Sequence, residues 1–164
     1  MLQRWLQNLA ATPFRLRRCF PPAALAAIDA EVAASERRHG AEIRCAVETS
    51  LAIGQLFAGI DARARAAEVF SRLGMWDTAA NNGVLLYILL AEHRIEIVAD
   101  RGFNGRVAPV QWRAICDELQ AACAVGRYRE GTIEALRRIG ELATLHFPAT
   151  GANPDELPDR TVLL

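Results

Sequence analysis

A chain of 164 residues, 52% hydrophobic and 23% charged with zero formal net charge, has the make-up of one globular domain that buries about 70% of its unfolded surface. That balance excludes a disordered polyelectrolyte and gives no general attraction to nucleic acid. All 19 basic residues are arginine, so neither a Schiff-base lysine nor a P-loop lysine is available.

In residues 1–20, Arg4, Arg15, Arg17 and Arg18 interleave with Leu2, Trp5, Leu6, Leu9, Phe14, Leu16 and Phe20, and no acid precedes Asp29. This basic amphipathic segment suits an extra N-terminal helix packed on its own domain, or one lying on an anionic membrane surface or a partner. It lacks the continuous apolar core and small-residue cleavage site of a signal peptide. Pro21-Pro22 opens a helix with Leu25, Ile28 and Val32 on one face, closed by Gly40. From 41 to 51, Ile43, Cys45 and Val47 alternate with Glu42, Arg44, Ala46 and Glu48, which predicts a half-buried strand.

Asp61 is placed to cap a helix whose stripe is Ala66, Val69, Phe70 and Leu73, with Gly74 at its end. Val84 to Leu90 is apolar at every position, as in a strand covered on both faces. After almost no turn, Ile95, Ile97 and Ala99 alternate with Glu96 and Val98, giving an antiparallel neighbour. Trp112, Ile115, Leu119 and Ala122, then Ile133, Leu136, Gly140 and Ala143, repeat at helical spacing. The Pro- and Asp-rich stretch 149–164 reads as an irregular tail wrapping the domain.

The first strand must cross through a helix to reach the second, which favours a parallel, right-handed pairing. The expected architecture is a three-layer α/β/α sandwich over 21–148, with a small mixed sheet, helices on both faces and the extra N-terminal helix. The longest apolar run, Gly83 to Ala91, is far shorter than the ~20 residues of a spanning helix. Cys19, Cys45, Cys116 and Cys123 form no C-x-x-C pair and read as reduced, buried thiols. A cytoplasmic chain without a transmembrane segment is expected.

Dinucleotide, P-loop and nucleophile-elbow signatures are absent. His39, His93 and His146 are scattered and form no zinc motif. The expected topology brings the starts of strands one and two and the end of strand three to one sheet edge, where Glu42, Asn81, Asn82 and Asp100 could converge. Such oxygen ligands suit Ca²⁺ or Mg²⁺. The same residues also read structurally: Asp100 on turn amides, Asn81 and Asn82 in an Asx turn, Glu42 paired with Arg44 or Arg101. Open α/β sheets ordinarily bind ligands at the opposite edge, here Thr49, Ser50 and Glu92-His93.

"GAEIRCAVE", "FSRLGMW", "NNGVLLYILLAEHRIEIVADRGF" and "GRYREGTIEALRRIGELATLHFP" with "DELPD" resemble the TPM domain family over roughly residues 20–160. That family is named from a thylakoid lumen protein, a photosystem II repair factor and a nematode receptor modulator. More narrowly, the chain is similar to its short bacterial branch, whose members often accompany a membrane-anchored TPM relative and a LemA-type protein. The resemblance implies an α/β/α sandwich. It also implies one of three roles: acid phosphatase, Ca²⁺ binding, or accessory work beside membrane complexes. Family members commonly read Gly-x-Gly-Leu-Glu-Gly followed by an Asp, whereas this chain reads Gly102-Phe103-Asn104-Gly105 and then Val107-Ala108-Pro109-Val110. Asn104 stands where the acid would, and the Asp is missing. The expectation is a non-enzymatic accessory or interaction module without a resident cofactor, working with a membrane-associated partner. The alternative is a divalent-metal-dependent phosphatase using Asp100 and Glu42 beside Arg101, with Arg44 and Arg106 as further phosphate-binding cations.

Overall fold

The computed structural model describes residues 2–149 and 157–164. Two short helices lead, α1 (Leu2–Ala10) and α2 (Pro13–Cys19), divided where Pro13 cannot continue the first and starts the second. Next come α3 (Pro22–Glu36), β1 (Ile43–Glu48), α4 (Ile53–Phe57) and α5 (Ala62–Arg72). The hairpin of β2 (Val84–Leu89) and β3 (Arg94–Ala99) follows, then α6 (Pro109–Ala124), α7 (Tyr128–His146) and β4 (Val162–Leu163). The strands form one mixed sheet in the order β3-β2-β1-β4. β1 and β2 are parallel with Ile43 opposite Val84, and β3 runs back with Ala99 opposite Val84.

One face of the sheet packs Ile43, Cys45, Val47, Leu86 and Ile88 against Ile28 and Val32 of α3, Ile115 and Leu119 of α6, and Leu136 and Ile139 of α7. The other face packs Ala46, Leu85, Tyr87 and Leu89 against Ala66, Val69 and Phe70 of α5. Each fully buried Leu, Ile or Phe stabilises this arrangement by about 1.5–3 kcal/mol. The three-layer α/β/α sandwich with helices on both faces is therefore observed.

Three details differ from the sequence reading. β1 is buried along its whole length, not on one side, and its closing Glu48 is paired inside the molecule with Arg65 of α5. The loop after it contains the short helix α4, where Gln55 Oε1 accepts from the Ala52 amide at 2.8 Å. The expected irregular tail is corrected at Val162–Leu163, which pairs parallel to Ala46 and Val47 as a fourth strand. The part of that tail at 150–156 lies outside the described residues. No described helix is long and apolar enough to cross a membrane.

Candidate functional site

The predicted edge forms at the amino ends of β1 and β2. The Val84 amide donates to the Glu42 carbonyl at 2.8 Å, and the Asp100 amide to the Gly83 carbonyl at 2.8 Å. Glycine is required twice here. A Cβ on Gly83 would lie 2.1 Å from the Met75 carbonyl oxygen, and one on Gly102 would lie 2.4 Å from that of Asn81. The Gly102 amide donates to this same Asn81 oxygen at 2.8 Å, so the turn leaving β3 is seated on the turn entering β2.

The ladder brings Glu42, Asn81, Asn82 and Asp100 to this edge, but their side chains turn to separate partners. Asn81, in the left-handed region at φ 52°, accepts from Arg101 Nε at 2.7 Å. Asn82 is 3% exposed, and its Nδ2 donates to the Gly40 carbonyl at 2.5 Å. Asp100 Oδ1 accepts from the Arg101 amide at 2.7 Å, capping the 3₁₀ turn Arg101–Phe103. Glu42 Oε2 accepts from the Leu157 amide at 3.1 Å. Two oxygens, Asn82 Oδ1 and Asp100 Oδ2, are buried without a hydrogen-bond partner.

Unpaired oxygens of this kind suit a hydrated cation such as Mg²⁺, which keeps several waters and takes only one or two protein oxygens. They do not make a Ca²⁺ cage of six to eight ligands, since Asn81 and Glu42 are engaged elsewhere. Among the described residues no three His, Cys, Asp or Glu side chains are grouped to hold a metal ion. Arg101 lies at the edge, bonded to Asn81. The other two proposed phosphate binders are elsewhere. Arg44 is buried in β1 with its Nε unpaired. Arg106 donates to the His146 carbonyl at 3.0 Å and lies over the Phe147 ring.

Beside this edge lies an acidic cluster that sequence reasoning missed. Glu36, at the end of α3, accepts from the Ile43 amide at 2.9 Å, with Asp159 of the tail as a neighbouring carboxyl. Its pKa is raised to about 9, first by burial, then by the neighbouring carboxyl groups of Asp159 and Glu42. About two helical turns before it, Asp29 Oδ1 accepts from the Thr161 amide at 2.8 Å and from its hydroxyl at 2.6 Å. Helical spacing on α3 says nothing of these acids' partners; for Asp29 the path of the tail supplies them.

At the opposite edge, where open α/β sheets usually hold ligands, α1 and α2 are seated. Arg4 Nε pairs with Glu92 at 2.7 Å. Asn8 Nδ2 donates to the same carboxylate at 2.9 Å, and its Oδ1 accepts from the Leu51 amide at 2.8 Å. Arg15 bonds His93 at 3.0 Å, and the Trp5 ring meets Phe57 edge-on at 4.7 Å. Arg4, Trp5 and Asn8 thus form the inward stripe of α1. The outward stripe is Leu2 (75% exposed), Leu6 (59%) and Leu9 (60%), continued by Phe14 (74%) on α2, where Arg17 and Arg18 are also exposed.

The profile of the TPM domain matches residues 17–142. The fold is similar to the NMR structure of the BA42 protein from the psychrophilic bacterium Bizionia argentinensis, at 25% identity and a TM-score of 0.74, covering 87% of this chain and 93% of that one. It is also similar to the NMR structure of the N-terminal domain of a protein from P. gingivalis, at 18% identity and a TM-score of 0.61, covering 88% and 92%. No curated protein matches the chain.

Proposed function

Because the chain belongs to the TPM domain family, we propose that it is a non-enzymatic accessory module that reaches a membrane-associated partner by seating α1 and α2 on the anionic membrane surface beside it. One observation carries this reading. α1 is fastened to the domain by Arg4, Trp5 and Asn8 while Leu2, Leu6 and Leu9, three side chains of sizeable apolar area, face outward with Phe14. A helix held on its polar side and bare on its apolar side, with Arg17 and Arg18 close by, has the pattern of an interfacial anchor. Each arginine near an anionic surface adds about 1 kcal/mol of attraction. The test is co-sedimentation with vesicles of phosphatidylcholine containing or lacking phosphatidylglycerol. Binding that requires the anionic lipid and is lost in the double variant Leu6→Asp, Leu9→Asp supports the reading; equal recovery of both proteins in the pellet rejects it.

The unpaired oxygens of Asn82 and Asp100 favour a second reading, a Mg²⁺-dependent phosphatase. Asn82 and Asp100 would hold the ion, which supplies charge compensation for a phosphoryl group, and Arg101 would bind the phosphate. Calorimetric titration of Mg²⁺ into the metal-stripped protein, with Asp100→Ala as control, tests it. Heat that persists unchanged in the variant places any binding elsewhere.

A further inference from the structure

Between the turn that joins β2 to β3 and the turn that joins α6 to α7 lies a cavity of about 140 Å³. It sits at the carboxyl end of β2, the edge at which open α/β sheets ordinarily hold ligands. Beside β1 that edge is filled by α1, whose Asn8 takes the Leu51 amide; at the hairpin it is not. The lining is apolar at Ile88, Leu90 and Ile95, which are buried, and polar at His93, Arg94 and Tyr128, of which the first two are exposed. The space therefore has an apolar interior and a polar mouth, the usual make-up of a small-molecule site. Its volume is close to the ~150 Å³ of an apolar cavity that takes up benzene, which limits the guest to one ring or a branched chain of that bulk.

Charge narrows the choice further. No carboxylate lines the cavity. Glu92, next in sequence to His93, is bonded to Arg4 and Asn8 of α1. Glu96 lies 3.6 Å from Arg94 but also 3.8 Å from Arg63, so it keeps a cationic partner when Arg94 turns to a ligand. His93 is a donor here. Arg15 Nη2 lies 3.0 Å from its Nε2, and a guanidinium can only donate, so Nε2 accepts and Nδ1 carries the proton. The mouth thus offers a guanidinium and an imidazole N–H with no acid among the lining residues to answer them. A compact apolar body bearing one negative charge complements both parts.

We propose that this cavity binds a small apolar monocarboxylic acid, its ring or branched chain against Ile88, Leu90 and Ile95 and its carboxylate on Arg94 beside His93. A guanidinium–carboxylate pair of this kind is charge-assisted and can be bidentate, which fixes the orientation of the acid as well as holding it. The site is separate from the outward stripe of α1 and from the edge at Asn82 and Asp100.

Benzoate is the probe. Titrated into the full chain with the backbone amides followed by NMR, it should give shifts that saturate at millimolar concentration or below and centre on residues 88–95 and 120–128. Toluene, which has the ring without the charge, should bind about tenfold more weakly, because it leaves Arg94 unengaged. Arg94→Gln, a change at an exposed side chain, should weaken benzoate by a similar factor. Cys123→Phe, which places a ring in the wall of the cavity, should abolish the shifts and serves if the first variant does not fold. Shifts that do not saturate or that centre elsewhere, equal affinity for toluene, or unchanged benzoate affinity in either folded variant overturns the proposal.

Discussion

Arg65 and Glu48 meet in the interior with Nε and Nη2 each 2.9 Å from the carboxylate, and Tyr87 donates its hydroxyl to the same carboxylate at 2.5 Å. Glu48 closes β1 and Arg65 stands on α5, so the pair ties the central strand to the helix that covers it. Both are under a tenth exposed. Glu48 also explains why Tyr87 resists ionisation: its pKa is raised by burial first and by the bond to that carboxylate second.

Removing one member leaves the other charged and buried. Arg65→Ala should destabilise the fold by about 3–5 kcal/mol, while Arg65→Met with Glu48→Leu, which removes both charges, should cost much less. Urea midpoints of the single and the double variant decide this; equal losses in both would contradict it.

His39 is fully buried, its Nδ1 accepting from the Ala41 amide at 3.3 Å and its Nε2 lying 2.9 Å from Ser35 Oγ. Burial is the main cause that lowers its pKa to about 4. A base depressed on folding binds its proton more readily unfolded. Its contribution is thus complete above about pH 6.5 and falls as pH drops toward 4, by up to about 1.4 kcal/mol per pH unit. The loss of stability between pH 7 and 4.5 should be shallower in His39→Gln than in the native protein, as read from urea unfolding at both pH values.

Gly83→Ala places a methyl group 2.1 Å from the Met75 carbonyl oxygen, a backbone atom that cannot swing away. The expected cost is about 3 kcal/mol, at the upper end for overpacking, with a corresponding fall in Tm. Gly54→Ala, where nothing lies within 4 Å of the added atom, should change Tm little and serves as the control.

The two stripes of α1 should separate in experiment. Asn8→Ala leaves the buried Leu51 amide unpaired and should cost about 1–3 kcal/mol. Leu6→Asp with Leu9→Asp, on the exposed stripe, should keep thermal unfolding nearly unchanged and alter only vesicle binding. Stability losses of similar size in both would mean that the outer stripe is part of the core.

The sequence carried most of the fold where apolar spacing was uninterrupted. Val84 to Leu90 and the stripes of α5, α6 and α7 each fix their own element. It misled at β1 because Arg44 and Glu48 alternate with apolar residues as a solvated face would. They are buried, and for Glu48 the reason is Arg65, a partner 17 residues away. β4 left no trace, since two residues cannot show a period and their pairing depends on a distant strand. The edge at Glu42, Asn82 and Asp100 followed from topology, and the structure forms it. The directions of its side chains did not follow, because Asn82 turns to Gly40 and Glu42 to Leu157, contacts set by loops whose paths spacing does not specify. Glu36 and Asp29 went unseen for the same reason.

The C-terminal strand also bears on the order of folding. Leu157 and Glu42 are 115 residues apart, so closing that contact early would cost far more chain entropy than closing the β2–β3 hairpin, whose partners are near neighbours. The hairpin, the β1 crossover and the α6–α7 pair are expected to assemble first, with β4 arriving on a nearly finished sheet. Until it arrives, β1 offers a row of unpaired amides and carbonyls to any extended chain nearby, the condition under which nascent sheets aggregate or exchange strands. Refolding yield should therefore fall as protein concentration rises.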